Sequence, residues 1–369
     1  MKVMARELFK SFIRAVRPYQ PGKPIKELER EMGLRNVIKL ASNENPLGPS
    51  RKAMRAMRWA LSDCHLYPES GCHYLVARLS QELGIPANQI VIGNGSNEIL
   101  ELLCRGFLSE GDQVISSETS FLVYPILTQV SGAEYKSVPM KEYRYDLEEI
   151  AGAITDRTKI IFIANPNNPT GTYVSAEEVS RFISRVPKDV IICMDEAYVD
   201  FVEAADFPRM IETIKASHPN LVLMRTFSKS YGLAGLRVGY AVASPEVAEY
   251  LHKIRQPFNV NSLAQIGATA ALDDRFFLWR TKLLVSSGRK YLYKRFQKMG
   301  LRYIPSQANF VLVDTGRDGE EVFQALLKSG MIVRSMKAYG LASWIRVTIG
   351  RRSENARFYR LLKKHLQEN

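Results

Sequence analysis

The chain has 369 residues, is 46% hydrophobic, and carries 51 Lys and Arg against 38 Asp and Glu, a net charge of +13. That size and apolar content exclude a disordered chain and predict one large and one small domain. No run approaches 18 consecutive apolar residues, so no membrane span is expected. The basic residues are spread along the whole chain, which suits anionic small molecules better than nucleic acid.

In chain order, MKVMARELFKSFIRAVRP sets apolar positions at helical spacing among five basic residues and reads as an amphipathic arm packed on the fold. Glu7 and the lack of Ser enrichment argue against a transit peptide. From residue 89 onward, strand-like runs alternate with helical ones. QIVIG (89–93) precedes the helix NEILELLCRGFL, and DQVIS precedes a helical stretch after Ser120. KIIFIANP (159–166) is followed by the helix SAEEVSRFISRV, then DVIICMDEAY (189–198) and NLVLMRTFS (220–228). Apolar runs separated by helices predict an α/β fold with a mainly parallel sheet covered on both faces. Past Asp273 a long helix (about 275–299) leads to ANFVLVD, a helix at 319–329, MIVRSM, WIRVTIG and a basic terminal helix, the pattern of a smaller α+β domain. The expected boundaries are 1–50 for an arm with part of the small domain, 51–272 for the large domain and 273–369 for the small one.

Cysteines at 64, 72, 104 and 193 form no CxxC pair and suit a reducing cytosol. Cys64-His65 and Cys72-His73 match no common zinc spacing, so no metal is expected.

Four polar clusters fall at the carboxyl ends of predicted strands, where open α/β sheets gather ligands. Gly93 to Asn97 opens a helix and offers free N–H groups to an anion. Asn165 to Gly171 holds more hydrogen-bonding side chains than a plain Asx/Pro turn needs. Asp195 ends a very apolar strand, where an unpaired charge is costly. Thr226, Ser228, Lys229 and Arg237 lie within TFSKSYGLAGLR. Together they answer the needs of a phosphorylated pyridine aldehyde: an amine for the Schiff base (Lys229) and an acid for the ring nitrogen (Asp195). Asn168 and Tyr198 supply donors for the phenolic oxygen, and Ser228 and Arg237 partners for the phosphate.

NPNNPTGT, DEAY and TFSKSYGLAGLRVGY resemble the fold-type I pyridoxal-phosphate aminotransferases. RPYQPGKPIKEL, IKLASNENPLGPS, YPESG, GNGSNEIL, QPFNVNSLAQ and PSQANFVLV make the chain similar to the histidinol-phosphate aminotransferase family, from about Arg17 to Arg351. YPESGCHYLVARL departs from the commonest glycine and arginine placement after the Tyr-Pro pair. The resemblance implies a large domain with a seven-stranded, mainly parallel sheet that binds pyridoxal 5'-phosphate. It places Phe121 against the cofactor ring, and Gly95, Ser96, Asn97, Thr226, Ser228 and Arg237 at its phosphate. Tyr67 would reach that phosphate from the partner subunit of a homodimer, and Tyr19, Arg334 and Arg346 would hold the substrate's anionic end. The implied reaction joins L-histidinol phosphate and 2-oxoglutarate. An aromatic amino-acid aminotransferase, a lyase of the threonine-phosphate decarboxylase type and a cofactor-sensing regulator are the alternatives. The regulator would need a DNA-binding unit, for which the 16 residues before Arg17 are too few.

Overall fold

A computed structural model describes residues 8–19, 22–216 and 218–367. Thirteen strands are described: β1 (Ile38–Lys39), β2 (Ile90–Gly93), β3 (Gln113–Ser117), β4 (Glu134–Val138), β5 (Thr158–Ala164), β6 (Ile191–Asp195) and β7 (Leu221–Thr226), then β8 (Gly239–Val242), β9 (Tyr303–Ile304), β10 (Phe310–Asp314), β11 (Met331–Ile332), β12 (Arg334–Ser335) and β13 (Trp344–Thr348). Seven of them form one sheet in the order β2-β8-β7-β6-β5-β3-β4. Only β8 runs against its neighbours, so the sheet is mainly parallel. Its central strands are apolar almost throughout because helices cover both faces. Ile160 to Ile163, Ile192 to Met194 and Leu221 to Met224 are all below 1% exposed.

The sequence pattern alone passed over β4 and β8. The edge strand β4, EYKSV, leaves Glu134 and Lys136 exposed, and such charges discourage further strand pairing. Strand β8 is four residues long, begins at Gly239, and reads as a turn until its pairing with β2 and β7 is seen. The helix Ala176–Arg185 shows how the crossovers start: Ser175 and Glu178 form a reciprocal capping box that satisfies its first N–H groups.

The remaining strands form a four-stranded antiparallel sheet in the order β12-β13-β10-β9 and the short parallel pair β1-β11. That pair ties the segment near Ile38 to the C-terminal third of the chain. Helices Arg275–Lys298 and Arg352–Gln367 cover the small sheet through Leu292, Phe296, Phe358 and Leu362. The MIVRSM run is broken at Val333 into β11 and β12, which join different sheets. Residues 1–7 of the arm lie outside the described residues; further along, Phe12 packs against Gly132.

Candidate active site

A cavity of about 360 Å³ opens between the carboxyl ends of the large sheet's parallel strands and the small sheet. Its lining includes Ser96, Asn97, Phe121, Asn168, Asp195, Tyr198, Thr226, Ser228, Lys229 and Arg237, together with Tyr19, Arg334 and Arg346. Thirteen candidates separated by up to 327 positions in the chain thus face one space. Two others do not line it. Gly95 lies behind Arg237, whose guanidinium occupies the place a Cβ on Gly95 would need. Tyr67 is 83% exposed and stacks on Phe258 with ring centroids 4.8 Å apart, outside its own chain's cavity.

Lys229 follows β7 by three residues, and its Nζ donates to Ser42 O at 3.1 Å. Loss of water around the ammonium, with Arg346 nearby, pulls its pKa down to about 8. Asp195 closes β6. Burial pushes its carboxyl up to about 6, against the opposing effect of two hydrogen bonds, from Tyr124 Oη (2.8 Å) and Ala197 N (3.1 Å). Tyr198 Oη accepts from Asn43 Nδ2 at 2.9 Å, and burial raises its pKa to about 12. Its phenol therefore stays protonated and able to donate.

The Asn165–Gly171 turn divides its labour. Asn165 bonds Val174 through both amide atoms, and Asn167 bonds Thr119 O, Thr170 Oγ1 and Ser120 Oγ, so these residues hold the turn together. Asn165-Pro166 and Asn168-Pro169 are both cis. Of the three asparagines, Asn168 alone lines the cavity. Its Oδ1 accepts from Arg346 Nη1, which leaves the amide nitrogen as its donor.

Two places suit anions. At the first, the helix Ser96–Phe107 starts at Gly95 (φ 77°) with no side-chain cap, leaving N–H groups near the Arg237 guanidinium. Arg237 Nη1 donates to Ser228 Oγ at 3.4 Å, and Ser228 N to Thr226 Oγ1 at 3.1 Å. At the second, Arg334 and Arg346 stand directly opposite each other on β12 and β13. Like charges in that relation repel unless an anion lies between them. Arg346 is buried, gives Nη2 to Ala41 O at 2.7 Å, and has no partner for its buried Nε among the described residues. Arg334 lies over the Tyr19 ring, 5.8 Å from its centroid.

Sequence reasoning missed Tyr124 and Asn43. Tyr124 sits three residues after Phe121, the spacing of side chains on one helical face. Asn43 was visible only as one of several polar residues in SNENP. Its left-handed φ of 56° and its bonds to Tyr198 and Thr348 depend on the fold. Among the described residues no group of three or more His, Cys, Asp or Glu is placed to hold a metal.

Residues 35–362 match the family model for aminotransferase class I and II. The histidinol-phosphate aminotransferase of Moorella thermoacetica is 45% identical over 96% of this chain and 92% of its own. Histidinol-phosphate aminotransferase 1 of Dechloromonas aromatica is 49% identical over 96% and 98%. This chain belongs to the histidinol-phosphate aminotransferases. The crystal structure of the Sinorhizobium meliloti histidinol-phosphate aminotransferase in complex with pyridoxal-5'-phosphate superposes with a TM-score of 0.90 at 28% identity, covering 100% of this aminotransferase and 99% of that chain. The fold expected from the sequence is the fold found. Among the described residues of this aminotransferase, no helix is long and apolar enough to cross a membrane.

Proposed function

We propose that this aminotransferase passes the amino group of L-histidinol phosphate to 2-oxoglutarate, giving imidazole acetol phosphate and L-glutamate, with pyridoxal 5'-phosphate held in the cavity. The bound cofactor supplies a carbonyl for the amine and a protonated ring that draws electrons from the Cα–H bond. The residues present fit it: an uncapped helix start with a guanidinium for the phosphate, a buried carboxylate for the ring nitrogen and a desolvated amine for the carbonyl.

With the cofactor bound, Lys229 Nζ would take the proton from the substrate's Cα, and burial, which lowers its pKa to about 8, favours the neutral amine this needs. Asp195 opposes the ring nitrogen's charge. Tyr198 Oη and Asn168 Nδ2 donate to the phenolic oxygen, and Phe121 covers the ring face. Thr226, Ser228, Arg237 and the N–H groups of Gly95, Ser96 and Asn97 hold the cofactor phosphate. Arg334, Arg346 and Tyr19 hold the substrate phosphate and, in the second half-reaction, the carboxylate of 2-oxoglutarate.

The observation that carries the substrate assignment is the opposed Arg334–Arg346 pair, with the Arg346 Nε unpartnered among the described residues. One guanidinium suffices for a carboxylate, whereas a phosphate has three acceptor oxygens and more charge. The deciding experiment is a spectral titration of purified holoenzyme with histidinol phosphate, phenylalanine and tyrosine. Histidinol phosphate should bleach the lysine-linked cofactor band at the lowest concentration. A preference for phenylalanine would move the enzyme to aromatic transamination.

We also infer a cytoplasmic homodimer with shared sites. Trp59, Leu61, Leu66, Tyr67 and Tyr74 are all more than half exposed, an apolar group that a second copy would cover. Tyr67 would then reach the partner's cofactor phosphate. The four free cysteines suit a reducing compartment.

A further inference from the structure

Asp195 Oδ1 receives a backbone N–H, while Oδ2 receives the hydroxyl of Tyr124, its one side-chain donor among the described residues. Tyr124 has no exposed surface. Its ring stacks on Phe162 (centroids 4.8 Å apart, planes 13° apart) and meets Phe121 edge-on at 5.6 Å and 89°. Phe121, Tyr124 and Asp195 therefore touch in sequence, linking the side chain expected over the cofactor ring to the one expected at its nitrogen. A buried phenol always needs a partner, and a merely structural tyrosine would be satisfied by any acceptor. Here the acceptor is, among the described residues, the one buried carboxylate facing the cavity, where an ionised acid without donors would take up a proton instead.

We propose that Tyr124 is a positioning residue for the known chemistry: its hydroxyl keeps Asp195 ionised and aimed, so that the carboxylate can oppose a cationic ring nitrogen. Burial and the neighbouring Asp195 charge hold the Tyr124 phenol well above its usual range, so it remains a donor wherever the enzyme works. The proposal rests on the reading of Asp195 as the ring's counter-charge.

Tyr124→Phe removes one oxygen and leaves the stacked ring, so the fold should survive. The test compares wild type, Tyr124→Phe, Asp195→Asn and the double variant. In cofactor-free protein, the pH at which Asp195 ionises is read from urea stability against pH, with the Asp195→Asn variant as the blank. A carboxyl raised in the folded state adds stability that is full below about pH 4 and lost as pH rises to about 6 in wild type. In Tyr124→Phe the upper edge should move up by about 1–2 pH units, the size expected for losing one hydrogen bond to a charged group. The dissociation constant for pyridoxal phosphate at neutral pH should rise about 10–100-fold in Tyr124→Phe, the same loss expressed in binding. It should change little when the substitution is added to Asp195→Asn. An unmoved ionisation edge, or an equal loss of affinity in both backgrounds, overturns the proposal and makes Tyr124 a packing residue. A moved edge with unchanged affinity also overturns it, and removes the counter-charge role of Asp195 as well.

Discussion

On the cavity wall formed by the seven-stranded sheet, Asn168, Asp195 and Lys229 each lie at or just after the carboxyl end of a buried parallel strand, β5, β6 and β7. On the wall formed by the small sheet, Arg346 sits in the middle of β13 and Arg334 on the two-residue strand β12, while Tyr19 arrives from the arm. The first wall is fixed by the topology of the sheet, which brings those strand ends to the crevice. The second is fixed by register. A one-residue slip of β12 against β13 would turn Arg334 to the opposite face and undo the pairing with Arg346. On the proposed assignment, cofactor handling rests on the wall set by topology and substrate choice on the wall set by register.

This division sets the size of the expected effects. The largest belongs to the large-sheet wall. Lys229→Ala should cut turnover about 10²–10⁴-fold or more, because positioned proton transfer is lost for every donor alike. Single-turnover kinetics with histidinol phosphate and with glutamate check this; near-normal rates with either would remove Lys229 from its role.

Next comes the assignment of Tyr67 to the partner's site. Lys229→Ala and Tyr67→Ala chains, mixed and allowed to exchange, should form hybrids in which one site carries both defects and the other neither. Activity should rise to about a quarter of wild type on random pairing, well above either parent. No gain after verified exchange would return Tyr67 to its own chain or to the surface.

A smaller effect concerns stability. The Lys229 ammonium is held below its usual pKa, so in cofactor-free protein it is a cost that is full below about pH 8 and vanishes as pH rises to about 10.5. Lys229→Met should therefore raise the Tm of cofactor-free protein at pH 7, and the advantage should shrink between pH 8 and 10. Thermal melts across that range test it; an advantage that does not change with pH would mean the ammonium is well solvated.

The two walls also differed in how far the sequence could be read. Lys229, Asp195 and Asn168 were legible because each belongs to a polar cluster at or just after the end of an apolar strand, a local signal. Arg334 and Arg346 were not legible in this way. An arginine in WIRVTIG or MIVRSM looks like any strand arginine until pairing places the two opposite each other, so their candidacy came from the family resemblance. Tyr124 escaped because an aromatic within a helix reads as core, and its hydrogen bond to Asp195 spans 71 positions. Among the elements, β5 to β7 stood out as apolar runs, whereas β4 and β8 did not, since an edge strand tolerates polar residues and a four-residue strand is set by its neighbours.

The most direct test of the account compares histidinol phosphate with histidinol, which lacks the phosphate, on wild type and Arg334→Ala. Wild type should favour the phosphate ester strongly in kcat/KM. Arg334→Ala should lose about 1.5–3 kcal/mol, or ~10–150-fold, with the ester and far less with histidinol, so the preference collapses. An equal loss with both donors, leaving the preference intact, would contradict the claim that the small-sheet wall reads the substrate's phosphate.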